Sequence, residues 1–286
     1  FSPCPLLLSP CSRLCVACSG TDEWDESEPY APPWGAAAAA AAPARAAVPP
    51  ALEVLSQPTM PALKSLDLSH CTELPAATLS KILERHGPSL SELLLLGCTQ
   101  LGAPTLMEIA THCTALTSLS FEHTATSPAL PGDPAAEAQQ HEAVSLLETA
   151  VGELAQAFGE RLVSLSLEGC HLLTDKAMES VAESCGSGAA ASPLRRLSLN
   201  NAARITDRTL LALSEHTPHL EELDLSWCRE LTDEGLGILT DRCTRLKRLK
   251  VWGCTQLTSV FLEGHARHDL EIVGRPSRPP LRTQDA

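Results

Sequence analysis

From Leu63 onward the chain repeats one alternation of apolar and polar positions seven times. The segments are "LKSLDLSHC" (63–71), "LSELLLLGC" (90–98), "LTSLSFEHT" (116–124), "LVSLSLEGC" (162–170), "LRRLSLNNA" (194–202), "LEELDLSWC" (220–228) and "LKRLKVWGC" (246–254). Each follows L-x-x-L-x-L-x-x-C or a near variant, with Thr124 and Ala202 replacing the cysteine in two of them. Leucine at every second place is the period of a strand that buries one face. The leading leucines lie 27, 26, 46, 32, 26 and 26 residues apart. A near-constant period of this size predicts an array in which each unit packs on its own copies.

After each strand the period changes to that of a helix. In "RELTDEGLGILTDRC" (229–243), Thr232 and Asp233 precede apolar positions at Leu236, Leu239 and Cys243. Either side chain is expected to accept the free N–H groups of the first turn, and the acidic charge suits the positive end of the helix. The same element recurs as "LLTDKAMESVAESC" (172–185) and "ITDRTLLALSEH" (205–216), and more loosely at 74–86 and 101–113. In the last of these, Leu106, Ile109, Ala110 and Cys113 share one helical face. Strand then helix, stacked side by side, predicts an α/β solenoid of about seven repeats, curved, with a parallel sheet on its concave side and helices on the convex side.

The 46-residue interval carries an insertion at about 124–160: a loop, "TATSPALPGDP" (124–134), then a longer helix over 135–158. That helix places Val144, Leu147, Val151, Leu154 and Phe158 on one face and takes the place of the usual helical half. A shorter insertion, "GSGAAASP", spans 186–193. Residues 1–60 differ in kind, with an acidic run from Asp22 to Glu28 followed by proline and alanine tracts. Such a segment buries too little surface to offset chain entropy and is read as disordered. The repeat domain is expected over 61–275, with a disordered tail at 276–286.

Composition then narrows the function. Apolar residues make up 44% and aromatics 3%, so the core is built from Leu, Val, Ile and Ala. The net charge of −14 argues against direct nucleic-acid binding, which draws on Lys and Arg. No apolar stretch reaches the 18 residues of a membrane span. The start, "FSPCPLLLSPCSRLCVACSG", has prolines in its apolar run and Arg13 within it, which does not fit the layout of a secretory signal.

Of the 12 cysteines, Cys71, Cys98, Cys170, Cys228 and Cys254 share one repeat position, and Cys113, Cys185 and Cys243 another. Equivalent positions in successive repeats form a ladder, whereas zinc needs four ligands converging on one point. They are read as small buried hydrophobes, and reduced buried thiols point to a cytoplasmic or nuclear setting. Cys4, Cys11, Cys15 and Cys18 form a separate group with one C-x-x-C pair, where a zinc ribbon needs two; an N-terminal zinc module is the third and weakest reading. No nucleophile elbow, phosphate-cradling loop or catalytic carboxylate pair is found, so no enzyme and no cofactor is implied.

The repeat resembles the cysteine-containing leucine-rich-repeat subtype, whose pattern L-x-x-L-x-L-x-x-C-x-x-I/L-T-D-x-x-L-x-x-L-A-x-x-C matches 220–243 almost throughout. The resemblance covers about 63–262 and departs at 124–160, 186–193 and 202. It implies a protein-interaction role like that of the F-box/LRR receptors that select targets for SCF/cullin-type ubiquitin ligases. Residues 1–60 show no F-box-like helical pattern. The segment "VWGCTQLTSVFLEGHARHDLEIVGR" (251–275) also resembles the ending of the leucine-rich-repeat subunit of the fungal excision-repair damage-recognition complex. That implies, as the alternative, an accessory role among repair subunits.

Strand alternation sends the residues between the leucines to the concave face. Most are small or acidic, as a solvated face should be. Leu94 and Leu96 break that pattern, as does Trp252 beside Arg248 and Lys250, and apolar residues or Trp with Arg are types that anchor interfaces. The expected protein-binding residues are therefore Leu94, Leu96, Arg196, Glu222, Asp224, Arg248, Lys250 and Trp252. Cover by the N-terminal segment or the insertion helix would equally account for the two leucines, and packing under the C-terminal tail for Trp252.

Overall fold

The fold is that of a computed structural model, which describes residues 7–8, 13–15, 55, 62–123, 134–187, 192–264 and 267–274. Every repeat contributes one short strand: β3 Ser65–Asp67, β4 Glu92–Leu95, β5 Ser118–Glu122, β6 Ser164–Glu168, β7 Arg196–Ser198, β8 Glu222–Asp224 and β9 Arg248–Lys250. β1 (Leu7–Leu8) and β2 (Arg13–Cys15) precede them and β10 (Glu271–Val273) follows, giving one ten-stranded sheet in chain order. β1 runs antiparallel to β2, and every other neighbouring pair is parallel.

The register aligns the repeats residue for residue. Leu66, Leu93, Leu119, Leu165, Leu197, Leu223 and Leu249 pair in succession, and all are buried. A second buried row runs through Leu68, Leu95, Phe121, Leu167, Leu199, Leu225 and Val251. The helices form the other layer: α1 Ala76–His86, α2 Ala103–His112, α3 Pro134–Phe158, α4 Asp175–Gly186, α5 Asp207–His216, α6 Asp233–Arg242 and α7 Ser259–Gly264. Each packs on its sequence neighbour. The insertion helix is α3; Leu147, Val151, Leu154 and Phe158 are buried in the same core, with Val144 packed at its margin.

The sheet extends past the seven repeat strands at both ends. Within the segment read from sequence as disordered, Leu7–Leu8 and Arg13–Cys15 are strands. Leu55 is fully buried, and its carbonyl lies 2.8 Å from Nε2 of the buried His86. The remainder of 1–60, the loop at 124–133 and the tail at 276–286 lie outside the described residues.

All eight described cysteines of the repeats are buried, and no disulfide joins any of them to another described cysteine. The thiols of Cys98, Cys228 and Cys254 donate to the carbonyls of Leu68, Leu199 and Leu225 in the preceding repeat, at 3.1, 3.2 and 3.1 Å. Burial pushes Cys113, Cys170 and Cys254 up to about 12, and Cys185 and Cys243 to about 11, so none is a thiolate at neutral pH. Among the described residues no group of three or more His, Cys, Asp or Glu is arranged to hold a metal ion. Cys4, Cys11 and Cys18, with the zinc reading attached to them, lie outside the described residues.

Right after six of the seven repeat strands, all but β5, the backbone turns through a left-handed residue at the same repeat position: His70, Gly97, Gly169, Asn201, Trp227 and Gly253, with φ between 62° and 69°. Glycine adopts this conformation freely, and Asn and His do so at modest cost. Trp227, with φ 64°, is the exception in kind.

Candidate functional site

The polar residues of each strand form three rows across the inner face. The first runs Ser65, Glu92, Ser118, Ser164, Arg196, Glu222, Arg248, Glu271. The second runs Asp67, Leu94, Ser120, Ser166, Ser198, Asp224, Lys250, Val273. In the third, backbone bonds continue the ladder just beyond the strands, carrying it from Glu122 and Glu168 through Asn200 and Ser226 to Trp252.

Between β6 and β9 the first two rows, with Glu168 from the third, line an open trough of about 200 Å³, with Ser164, Ser166, Arg196, Ser198, Glu222, Asp224, Arg248 and Lys250 on its walls. Here the first row alternates in sign: Arg196, Glu222, Arg248, Glu271. Arg248 Nε donates to Glu271 at 3.0 Å, and Lys250 lies 3.4 Å from Asp224. The Arg248–Glu271 pair is exposed on both sides, so it stabilises the fold by only about 0–1 kcal/mol and can exchange onto a partner at little cost, whereas Asp224 is half-buried beneath an exposed Lys250. The Arg196 side chain makes no ion pair among the described residues and is exposed. Asp224 also accepts the Ser226 N–H at 2.9 Å, which fixes its orientation.

The structure brings five of the residues predicted from sequence into this trough: Arg196, Glu222, Asp224, Arg248 and Lys250. Trp252 stands at its edge on the third row, 42% exposed. Leu94 and Leu96 are half-buried on β4 and in the turn that follows it. Five strand spacings of about 4.8 Å separate β4 from β9, so the leucines and Trp252 do not form one patch.

Sequence reasoning did not single out Glu122, Glu168 or Trp227. Glu122 and Glu168 are direct register partners, and only the cross-strand register puts them side by side. Glu122 accepts the Gly97 N–H at 2.7 Å, while Glu168 accepts from Ser198 at 3.0 Å and Ser166 at 3.2 Å. Burial lowers the pKa of His123 beside them, so this imidazole supplies no countercharge at neutral pH. The face thus offers hydroxyls, carboxylates, guanidinium and ammonium groups and an indole on a rigid sheet, which is chemistry suited to holding a polypeptide.

Residues 216–237 match the Leucine Rich repeat family model. Among solved structures, the chain is similar to the Rad7 and Elc1 complex in yeast, at 16% identity and a TM-score of 0.40, covering 79% of this chain and 71% of that one. It is also similar to the leucine-rich-repeat-containing protein LegL7 from Legionella pneumophila, at 14% identity and a TM-score of 0.41, covering 78% and 67%. With the family match, the residue-for-residue register of the strands and the alternation of strand and helix, this chain is a leucine-rich-repeat solenoid.

Proposed function

We propose that this chain is a non-catalytic protein-interaction scaffold that selects protein targets for an SCF/cullin-type ubiquitin ligase, in the cytoplasm or nucleus. The observation that supports it is the trough between β6 and β9, where Arg196 makes no ion pair among the described residues and the neighbouring Arg248–Glu271 pair is weak and solvated. Charges arranged this way give specificity and association rate to a protein partner while adding little to the stability of the free chain. The cysteine-containing repeat supports the ligase reading, because that pattern resembles the substrate-recognition domains of such ligases.

The alternative is an accessory subunit of nucleotide-excision-repair damage recognition. What favours it is the resemblance carried by 251–275, whose described residues hold the turn after β9, then α7 and β10. Affinity purification of the full chain followed by mass spectrometry separates the two. Cullin and adaptor subunits are expected under the first reading and excision-repair factors under the second. The trough variant Arg196→Ser/Arg248→Ser is expected to lose the client in either case. Recovery of neither group, or client capture unchanged in the variant, overturns the proposal.

A further inference from the structure

The third row of the inner face differs from the other two in carrying an acidic end and an aromatic end with only small polar groups between. We propose that this row, from Glu122 to Trp252, is the docking lane for an extended segment of a protein partner. The segment carries an arginine or lysine at one end and a large apolar residue about six positions away. The inference rests on the scaffold reading and names what the scaffold holds.

At the acidic end, Glu122 and Glu168 are Cα partners on adjacent strands. Like charges directly opposite one another destabilise a sheet. Neither carboxylate forms an ion pair among the described residues. Their oxygens are held by neutral donors, the Gly97 N–H and the hydroxyls of Ser198 and Ser166, at 2.7, 3.0 and 3.2 Å. These donors fix the orientation of both groups without cancelling their charge. A cation arriving from a partner relieves the repulsion; an acidic segment increases it. The net charge of −14 steers basic partners in the same sense.

At the other end, Trp252 is 42% exposed. Beside it, Trp227 holds φ at 64°, a conformation that costs a bulky residue about 1–3 kcal/mol. The Trp227 ring sits against Gly253 of the next repeat, so close that a Cβ there would lie 2.5 Å from its Cε3. The two indoles are joined through the backbone, Trp227 N–H donating to the Trp252 carbonyl at 2.5 Å. Tryptophan is the residue type that most often anchors a protein interface, and the fold itself draws no buried packing from the exposed face of Trp252.

The distance between the ends sets the ligand. From β5 to β9 there are four strand spacings of about 4.8 Å, about 19 Å in all, which an extended chain covers in about six residues at about 3.3 Å each. Asn200 and Ser226 lie between, close to the path of such a chain and small enough to let it pass.

The test uses the full chain and a displayed library of random ten-residue peptides. Selected peptides are expected to share Arg or Lys five to seven positions from Trp, Phe, Leu or Pro. Their affinity is then measured by fluorescence anisotropy at two salt concentrations. Glu122→Gln/Glu168→Gln keeps the acceptors for Gly97 and Ser198 while removing the charge; it is expected to weaken binding at least tenfold and to flatten the salt dependence. Trp252→Ala is expected to weaken binding similarly but to leave the salt dependence intact. Cooperative melting transitions show that both variants fold. An acidic consensus, no enrichment over a control selection, or indifference to both variants overturns the lane. If the peptide test gives one of these outcomes while cellular partners still copurify and are lost with the trough variant, the lane fails and the scaffold reading stands.

Discussion

Asp207 carries its carboxylate out of its own repeat and onto Thr232 of the next, accepting the threonine N–H at 2.9 Å and its hydroxyl at 2.6 Å. Asp175 holds Thr206 in the same way, at 2.8 Å for both bonds, and Asp233 holds Thr258, at 3.0 and 2.5 Å. Each aspartate opens one helix and clamps the residue that caps the following one. In a solenoid whose stability is a sum of repeat and neighbour terms, these clamps belong to the neighbour term.

Asp207→Ala is therefore expected to destabilise the fold by about 1–3 kcal/mol, because Thr232 loses two charge-assisted bonds and its N–H is left half-buried without an acceptor. Asp207→Asn keeps an acceptor and is expected to cost less. Urea denaturation of Asp207→Ala, Thr232→Val and the double variant checks the coupling. Additive losses would mean the clamp carries no energy between repeats.

The clamp also marks where the sequence stops being legible. Thr232–Asp233 reads as a helix start, and Thr232 does accept the Gly235 N–H, at a long 3.5 Å. Asp233, expected to cap its own helix, bonds instead to a residue 25 positions away. A pattern confined to one repeat cannot reveal a bond between two. The strand leucines were legible because burial on one face imposes a period of two on each copy. The extra strands β1 and β2 were not, since Leu7–Leu8 and Arg13–Cys15 carry no copy of the repeat. The Glu122–Glu168 pair was half legible: alternation put both on the inner face, and only the register made them neighbours.

Gly253 is required twice over, by φ of 68° and by the Trp227 ring against it. Gly253→Ala is expected to cost about 1–3 kcal/mol from the left-handed backbone alone, and to displace the indole as well. Gly237 faces open space within a helix, so Gly237→Ala is expected to stabilise by about 0.5–1 kcal/mol. Thermal denaturation of the pair gives opposite shifts; a neutral Gly253→Ala would remove the constraint argued for that turn.

The buried thiols give the fold an alkaline limit. Cys254 and Cys170 are raised by burial from 9.0 to about 12, and Cys243 to about 11. A group whose folded pKa exceeds its unfolded value contributes fully below the unfolded pKa and loses that contribution as pH rises toward the folded one. Stability is thus expected to be flat with respect to these thiols below about pH 9 and to fall from there toward pH 11–12. Urea midpoints between pH 7.5 and 10.5 test this. Cys254→Ala lowers the curve through its cavity but should also flatten the alkaline slope, and an unchanged slope would mean the thiol does not titrate with unfolding.

Leu94 and Trp252 were expected to act alike, and their surroundings separate them. Trp252 is exposed on the third row at the edge of the trough, whereas Leu94 is half-buried on β4, five strands away. Trp252→Ala removes the part of the ring that is covered as well as the exposed part, so it is expected to cost about 1 kcal/mol of stability while weakening capture of a protein partner. Leu94→Glu sets a third carboxylate in a neighbourhood that already holds Asp67 and Glu92 as its register partner and strand neighbour. It is expected to lower the melting temperature by a few degrees, about what 1 kcal/mol produces in a domain of this size, and to weaken binding less than Trp252→Ala does. Leu94→Ser removes the side chain without the charge and isolates the repulsive part. Calorimetry of the three variants, set beside partner capture from the same preparations, makes the comparison. Equal loss of binding in Leu94→Ser and Trp252→Ala, with both variants folded, would place the partner across the whole inner face rather than at its β5–β9 end.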